Sequence, residues 1–127
     1  MLTSIMYATV YVTDQDRALK FYTEALGLDK GVDFPGPDGR FLTVGVPGGP
    51  VQIILWSNAG SAGQPSDAGA PGPLILESDD LRGDFETWRE RGVVFEEPGP
   101  VEYPFGLRIE ALDPDGNRIS LRQPPKR

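Results

Sequence analysis

The sequence predicts an α+β fold made of two βαβββ modules, with curved mixed sheets around a cavity. Three observations carry this. Residues 59–72, AGSAGQPSDAGAPG, have no apolar periodicity and are almost wholly small, Gly or Pro, which reads as a connector. The flanking stretches, 1–58 and 73–127, repeat one order of patterns: a strand, a helix, then three strands. The interval from Asp14 to Gly27 in the first stretch equals that from Asp79 to Gly92 in the second. One domain of two similar halves is therefore expected.

The first half opens on SIMYATVYV, where Met6, Ala8, Val10 and Val12 alternate with Tyr7, Thr9 and Tyr11. Thr13 or Asp14 can accept the free N–H groups of a following helix, DRALKFYTEAL. Leu19, Tyr22 and Leu26 share one face of that helix, and Gly27 suits its left-handed end. VDF and RFLTVGV then flank the turn Gly36-Pro37-Asp38-Gly39, and Gly48-Gly49-Pro50 precedes VQIILW. The second half opens on PLILE. Ser78 or Asp79 precedes the helix RGDFETWRER, with Phe85 and Trp88 on one face and Gly92 at its end. VVFEE leads through a Pro-rich loop to LRIEAL, and Asp113-Pro114-Asp115-Gly116-Asn117 turns the chain into RISLR.

Each strand has two unlike faces. Val51, Ile53 and Leu55 oppose Gln52, Ile54 and Trp56; Leu74 and Leu76 oppose Ile75 and Glu77. Ile109 and Ala111 oppose Arg108 and Glu110; Ile119 and Leu121 oppose Arg118, Ser120 and Arg122. The aliphatic faces are expected under the helices. The other faces mix aromatic, amide and charged groups, as a ligand cavity requires. Tyr7, Thr9, Tyr11, Gln52, Ile54, Trp56, Glu77, Phe105, Arg108, Glu110, Ser120 and Arg122 are the candidate ligand-binding residues. Within this set, Glu110 with Arg108 and Glu77 with Arg122 are possible cross-strand ion pairs.

Composition narrows the chemistry. The 127 residues include no His and no Cys. Ser-His-Asp and Cys-His triads are thereby excluded, as are metal sites built on imidazole or thiolate. Any proton transfer would fall to Asp, Glu, Tyr, Lys or water. A net charge of −7 repels a phosphate backbone, so no nucleic-acid partner is expected. No apolar run is long enough to span a bilayer, and Met1–Ser4 lack the basic start of a secretion signal. The expectation is a cytoplasmic protein without a membrane association.

TVYVTDQDRALKFYTEALGL and DPDGNRISL, together with the paired layout, resemble the vicinal oxygen chelate superfamily. That group includes glyoxalases, extradiol dioxygenases, epimerases and bleomycin-resistance proteins. Its enzymes hold a divalent metal with His, Glu or Gln from set strand positions. By the resemblance those positions fall on Tyr7, Ile54, Pro73 and Ser120, and a shift of two residues would admit Gln52 and Glu77. Tyr, Ile, Pro and Ser do not make a divalent-metal shell, so no metal and no cofactor are expected. The metal-free bleomycin-resistance members are the nearer match. The resemblance then implies a homodimer that binds and sequesters a small molecule, with modules paired within a chain or exchanged between chains. The alternative is a metal-independent isomerase or lyase using Glu77 or Glu110 as base and Tyr7 as acid.

Overall fold

The computed structural model describes residues 1–37, 39–57 and 73–125. The chain divides into two compact units, residues 1–63 and 64–127. The connector expected at 59–72, and Asp38 of the first hairpin turn, lie outside the described residues.

The first unit runs β1 (Tyr7–Val12), α1 (Gln15–Lys20), a π-helical segment (Phe21–Ala25), β2 (Asp29–Gly36), β3 (Gly39–Gly45) and β4 (Gln52–Ser57). Its sheet order is β1-β4-β3-β2, with β1 and β4 parallel and the other pairs antiparallel. Asp14 caps α1 by accepting from the Arg17 N–H at 3.1 Å. After one regular turn the helix widens, and the Leu26 N–H reaches the Phe21 carbonyl. Gly27, at φ +87°, ends it as the sequence predicts. Val10, Val12, Leu42, Val44, Ile53 and Leu55 bury one sheet face, and Ala18, Tyr22 and Leu26 bury the helical face.

The second unit runs β5 (Leu74–Glu77), α2 (Leu81–Glu90), β6 (Val94–Phe95), β7 (Val101–Tyr103), β8 (Gly106–Leu112) and β9 (Arg118–Gln123). β5 pairs in parallel with β9, β9 antiparallel with β8, and both β6 and β7 with β8. Four strands thus follow α2, where the repeat predicted three. The expected VVFEE strand is cut short to β6, before Pro98 and Pro100, which lack the N–H a ladder needs, and β7 is an additional strand within the stretch expected as a Pro-rich loop. The helix cap also differs from expectation. Asp80, one residue beyond the Ser78-Asp79 pair, accepts from the Gly83 N–H, while the Ser78 hydroxyl accepts from the Asp80 N–H and donates to Asp84. Gln123 of β9 accepts from the Leu81 N–H at 2.8 Å and ties the helix start to the sheet. Leu74, Ile109, Ala111, Ile119 and Leu121 meet Leu81, Phe85 and Val93 in the core.

The DPDGN turn is closed by its own first residue. Asp113 Oδ1 accepts from the N–H groups of Asp115 and Asn117, and Oδ2 accepts from the Asn117 amide. Gly116 takes φ +81° there. Asp113, Gly116 and Asn117 therefore each have a local conformational task. Among the described residues no helix is long and apolar enough to cross a membrane.

Candidate functional site

Parallel pairing of β1 with β4 places Tyr7 beside Gln52, Thr9 beside Ile54 and Tyr11 beside Trp56. All six candidates of the first unit therefore share one sheet face, opposite the aliphatic one. Tyr7 and Tyr11 are each 40% exposed, and Gln52, Ile54 and Trp56 are half-buried. Tyr7 stands edge-on to Phe41 with ring centroids 5.7 Å apart. The face carries no charge among these residues.

Gln52 is held by a device that sequence reading missed. A register shift between Lys30 and Asp33 takes the Val32 N–H out of the ladder, and the Thr43 hydroxyl accepts it at 2.8 Å. The same hydroxyl donates to the Gln52 amide oxygen at 3.1 Å. A Cβ at Gly31 or Gly45 would run into the Gln52 amide. The two glycines thus open the slot in which the amide lies. One signal was present: Thr43 is a polar residue in phase with the mixed face of an otherwise apolar strand.

Beside Trp56 is a small pocket of about 120 Å³ lined by Gln15, Gly39, Arg40, Trp56 and Ser57. It is smaller than the roughly 300 Å³ lower bound for ligand pockets, so it admits an edge of a molecule at most. The Gln15 amide donates to the carbonyls of Arg40 and Leu55 and fixes one wall. Arg40 forks onto Asp33 and bonds Asp16. That arrangement holds the Asp33 carboxyl well below the usual carboxylate range, chiefly through the Arg40 hydrogen bonds with Lys30 assisting.

The second unit presents a different surface. Pairing of β8 with β9 sets Arg108 beside Arg122 and Glu110 beside Ser120. Pairing of β5 with β9 adds Glu77 at the Arg122 position, on the exposed edge strand. Glu110 and Ser120 are fully buried, and the Ser120 hydroxyl donates to Glu110 Oε2. Arg122 Nη2 lies 2.9 Å from Glu110 Oε1. This is an ion-pair distance without hydrogen-bond alignment, since Oε1 accepts no hydrogen bond. The Arg122 guanidinium sits 5.6 Å from the Tyr103 ring centre. The ion pairs therefore differ from those expected: Glu110 joins Arg122, Arg108 joins Glu97 at 3.3 Å, and Arg118 joins Glu96 at 2.7 Å. The Glu96 hydrogen bonds push the Arg118 guanidinium further toward its charged form. Phe105 is 71% exposed at the β7–β8 turn, edge-on to Tyr103. Tyr103, Glu96 and Glu97 are not among the expected site residues; Tyr103 falls in the stretch expected as a Pro-rich loop, and Glu96 and Glu97 end the expected VVFEE strand.

The side chains at the positions where the resemblance would put a metal do not fit one. Ile54 and Pro73 have no donor, Tyr7 packs on Phe41, and the Ser120 hydroxyl is given to a carboxylate that already faces a guanidinium. Among the described residues no three His, Cys, Asp or Glu side chains group to hold an ion.

Two modules, one βαβββ and one βαββββ, each with its first and last strands paired in parallel and each with one mixed face, define an α+β protein of two related modules with its candidate residues on the sheets. The chain belongs to the Glyoxalase/Bleomycin resistance protein/Dioxygenase superfamily, matching it over residues 4–121. It is 34% identical to TnmS3, an antibiotic binding protein from Streptomyces sp. CB03234, with a TM-score of 0.81 and 98% of each chain covered. A superfamily member from Sphaerobacter thermophilus DSM 20745 is 33% identical, with a TM-score of 0.82 over 96% of this chain and 98% of that one. The uncharacterized protein YetH of Bacillus subtilis (strain 168) is 30% identical over 97% of this chain and all of its own length, 100%.

Proposed function

We propose that the protein binds and sequesters an aromatic small molecule without a metal, acting as a cytoplasmic homodimer. One observation carries the reading: an uncharged row of candidate side chains on one sheet face, with Tyr7 beside a Gln52 amide fixed by Thr43 and, further along the same strands, Tyr11 beside Trp56. Half-exposed aromatic rings supply stacking area, and a held amide supplies orientation. Thr9, Ile54, Glu77, Phe105, Arg108, Glu110, Ser120 and Arg122 are the further candidate residues. The similarity to an antibiotic binding protein supports the same class of ligand. Exposed apolar residues on β2, Val32 and Phe34, support self-association.

The catalytic alternative, an isomerase or lyase, draws less support. A base must be free to take a proton, and Glu110 is held by Ser120 and Arg122.

The test is a thermal-shift screen with bleomycin and doxorubicin as probes, followed by recovery of the probe. A binder at a concentration one hundred times its Kd stabilises the fold by about 2.7 kcal/mol. Recovery of intact probe, with loss of the shift in Trp56→Ala, is the expected result. Consumption of the probe would favour the enzyme reading, and a stoichiometric divalent ion surviving dialysis would remove the metal-free one.

A further inference from the structure

The arginines of this protein are not used alike. Arg118 closes on Glu96 through Nε and Nη2, with three contacts of 2.7 to 3.1 Å. Arg40 closes in the same way on Asp33, and its remaining Nη1 bonds Asp16. Arg122 does not close. Its Nη2 reaches Glu110 as a charge contact without alignment, and its Nη1 bonds the Leu121 carbonyl at 3.2 Å. Its Nε has no partner among the described residues. A guanidinium has five N–H donors, so much of this one's capacity is unspent although its side chain is only 15% exposed.

The surroundings fix where that capacity points. Glu110 is fully buried and held from the other side by Ser120, so it anchors the Arg122 charge. Tyr103 lies against the guanidinium, and Phe105 stands edge-on to Tyr103 at 5.8 Å. Burying an ion pair costs several kcal/mol per ion in desolvation, and an apolar pair would serve stability as well. A buried pair left short of hydrogen bonds is therefore explained better by a third partner than by packing. That partner must accept hydrogen bonds, and it must tolerate an aromatic wall.

From this geometry we infer that Arg122, with Tyr103 beside it, forms a specificity-determining aromatic-ligand site on the second unit's own mixed face. It takes an oxygen acceptor, a ring carbonyl or a carboxylate, attached to the ligand's aromatic system. Glu110 and Ser120 act as positioning residues through it. The inference rests on the binding reading and deepens it. It also disfavours a purely cationic ligand, although a net charge of −7 attracts cations to the chain as a whole.

Three probes of one shape test it: 2-acetylnaphthalene, naphthalene-2-carboxylate and 2-naphthylmethylammonium, titrated calorimetrically into the full-length chain. The two oxygen-bearing probes are expected to bind tighter than the cation by about tenfold or more, the worth of a hydrogen bond to a charged donor. Arg122→Gln is expected to erase that ratio. Arg122→Lys, which keeps a counter-charge for Glu110 and so protects folding, is expected to reduce it because the planar fork is gone. Glu110→Gln is expected to lower the ratio without abolishing aromatic binding. Arg118→Gln is expected to leave it unchanged, because that fork is already closed. A cation that binds as tightly as the carboxylate, or a ratio that survives in Arg122→Gln and Arg122→Lys alike, overturns the inference while leaving the binding function standing. Absence of binding by all three probes overturns both.

Discussion

The two sheets share a topology and differ in what their mixed faces are made of. In the first, the candidate residues are uncharged: aromatic rings share the face with a carboxamide slotted between glycines. In the second, the equivalent strands carry a buried carboxylate, a buried hydroxyl and three arginines, each matched to a glutamate. The strand pairing fixes which side chains share a face, and the residue types then decide whether that face is a stacking surface or an ionic one. Duplicating a module does not duplicate its chemistry.

The largest expected effect breaks the ionic face. Glu110→Ala leaves Arg122 buried without its counter-charge and should destabilise the protein by about 3–5 kcal/mol, or prevent folding. Gln52→Ala, on the neutral face of the first sheet, should cost only about 1 kcal/mol. Urea denaturation of both variants makes the comparison, and equal costs would remove the contrast. Next in size is Gly45→Ala. Its Cβ needs the space of the Gln52 amide, so it should cost about 1–3 kcal/mol as overpacking does. The same substitution in a Gln52→Ala background should cost far less, because contacting residues are energetically coupled.

Smaller still are the helix caps, where the modules should behave alike. Asp14→Ala and Asp80→Ala should each cost about 1 kcal/mol, read as the change in denaturation midpoint. The smallest effect concerns Asp33. Its native carboxyl stays ionised below the ordinary carboxylate range because Arg40 and Lys30 hold the charged form. That contribution is present above the ordinary carboxylate pKa and fades as pH falls through and below it. Stability measured from pH 6 to pH 2 should therefore decline less in Asp33→Asn than in the parent. An identical acid profile would show that this surface fork contributes nothing measurable.

Much of this arrangement was legible in the residues. Alternation along YATVYV, QIILW and RISLR separates the faces correctly, and Gly27 and Gly92 mark the helix ends because only a left-handed residue fits there. What was hidden was local competition among neighbours. Ser78, Asp79 and Asp80 all offer cap oxygens, and the choice of Asp80 depends on Ser78 being drawn to Asp84. The π-helical widening leaves no periodic trace over five residues, Phe21–Ala25. The ion pairs differ from those expected because Glu96 and Glu97 reach in from beyond β6, whereas spacing suggests only same-strand neighbours (Arg108 with Glu110) or opposed residues (Glu77 with Arg122). The candidate faces could be found from period two; which donors on them were already spent could not.

The parallel closure of each sheet has a consequence for biosynthesis. Tyr7 pairs with Gln52, and Leu74 pairs with Ile119, so each first strand awaits a partner 45 positions downstream (7 to 52, 74 to 119). As the chain leaves the ribosome, β1 and later β5 have no sheet to join until their module's last strand has emerged. Each module is thus completed from its C-terminal end, and a message truncated before Gln52 or before Ile119 would yield a nascent product with an apolar strand open to aggregation.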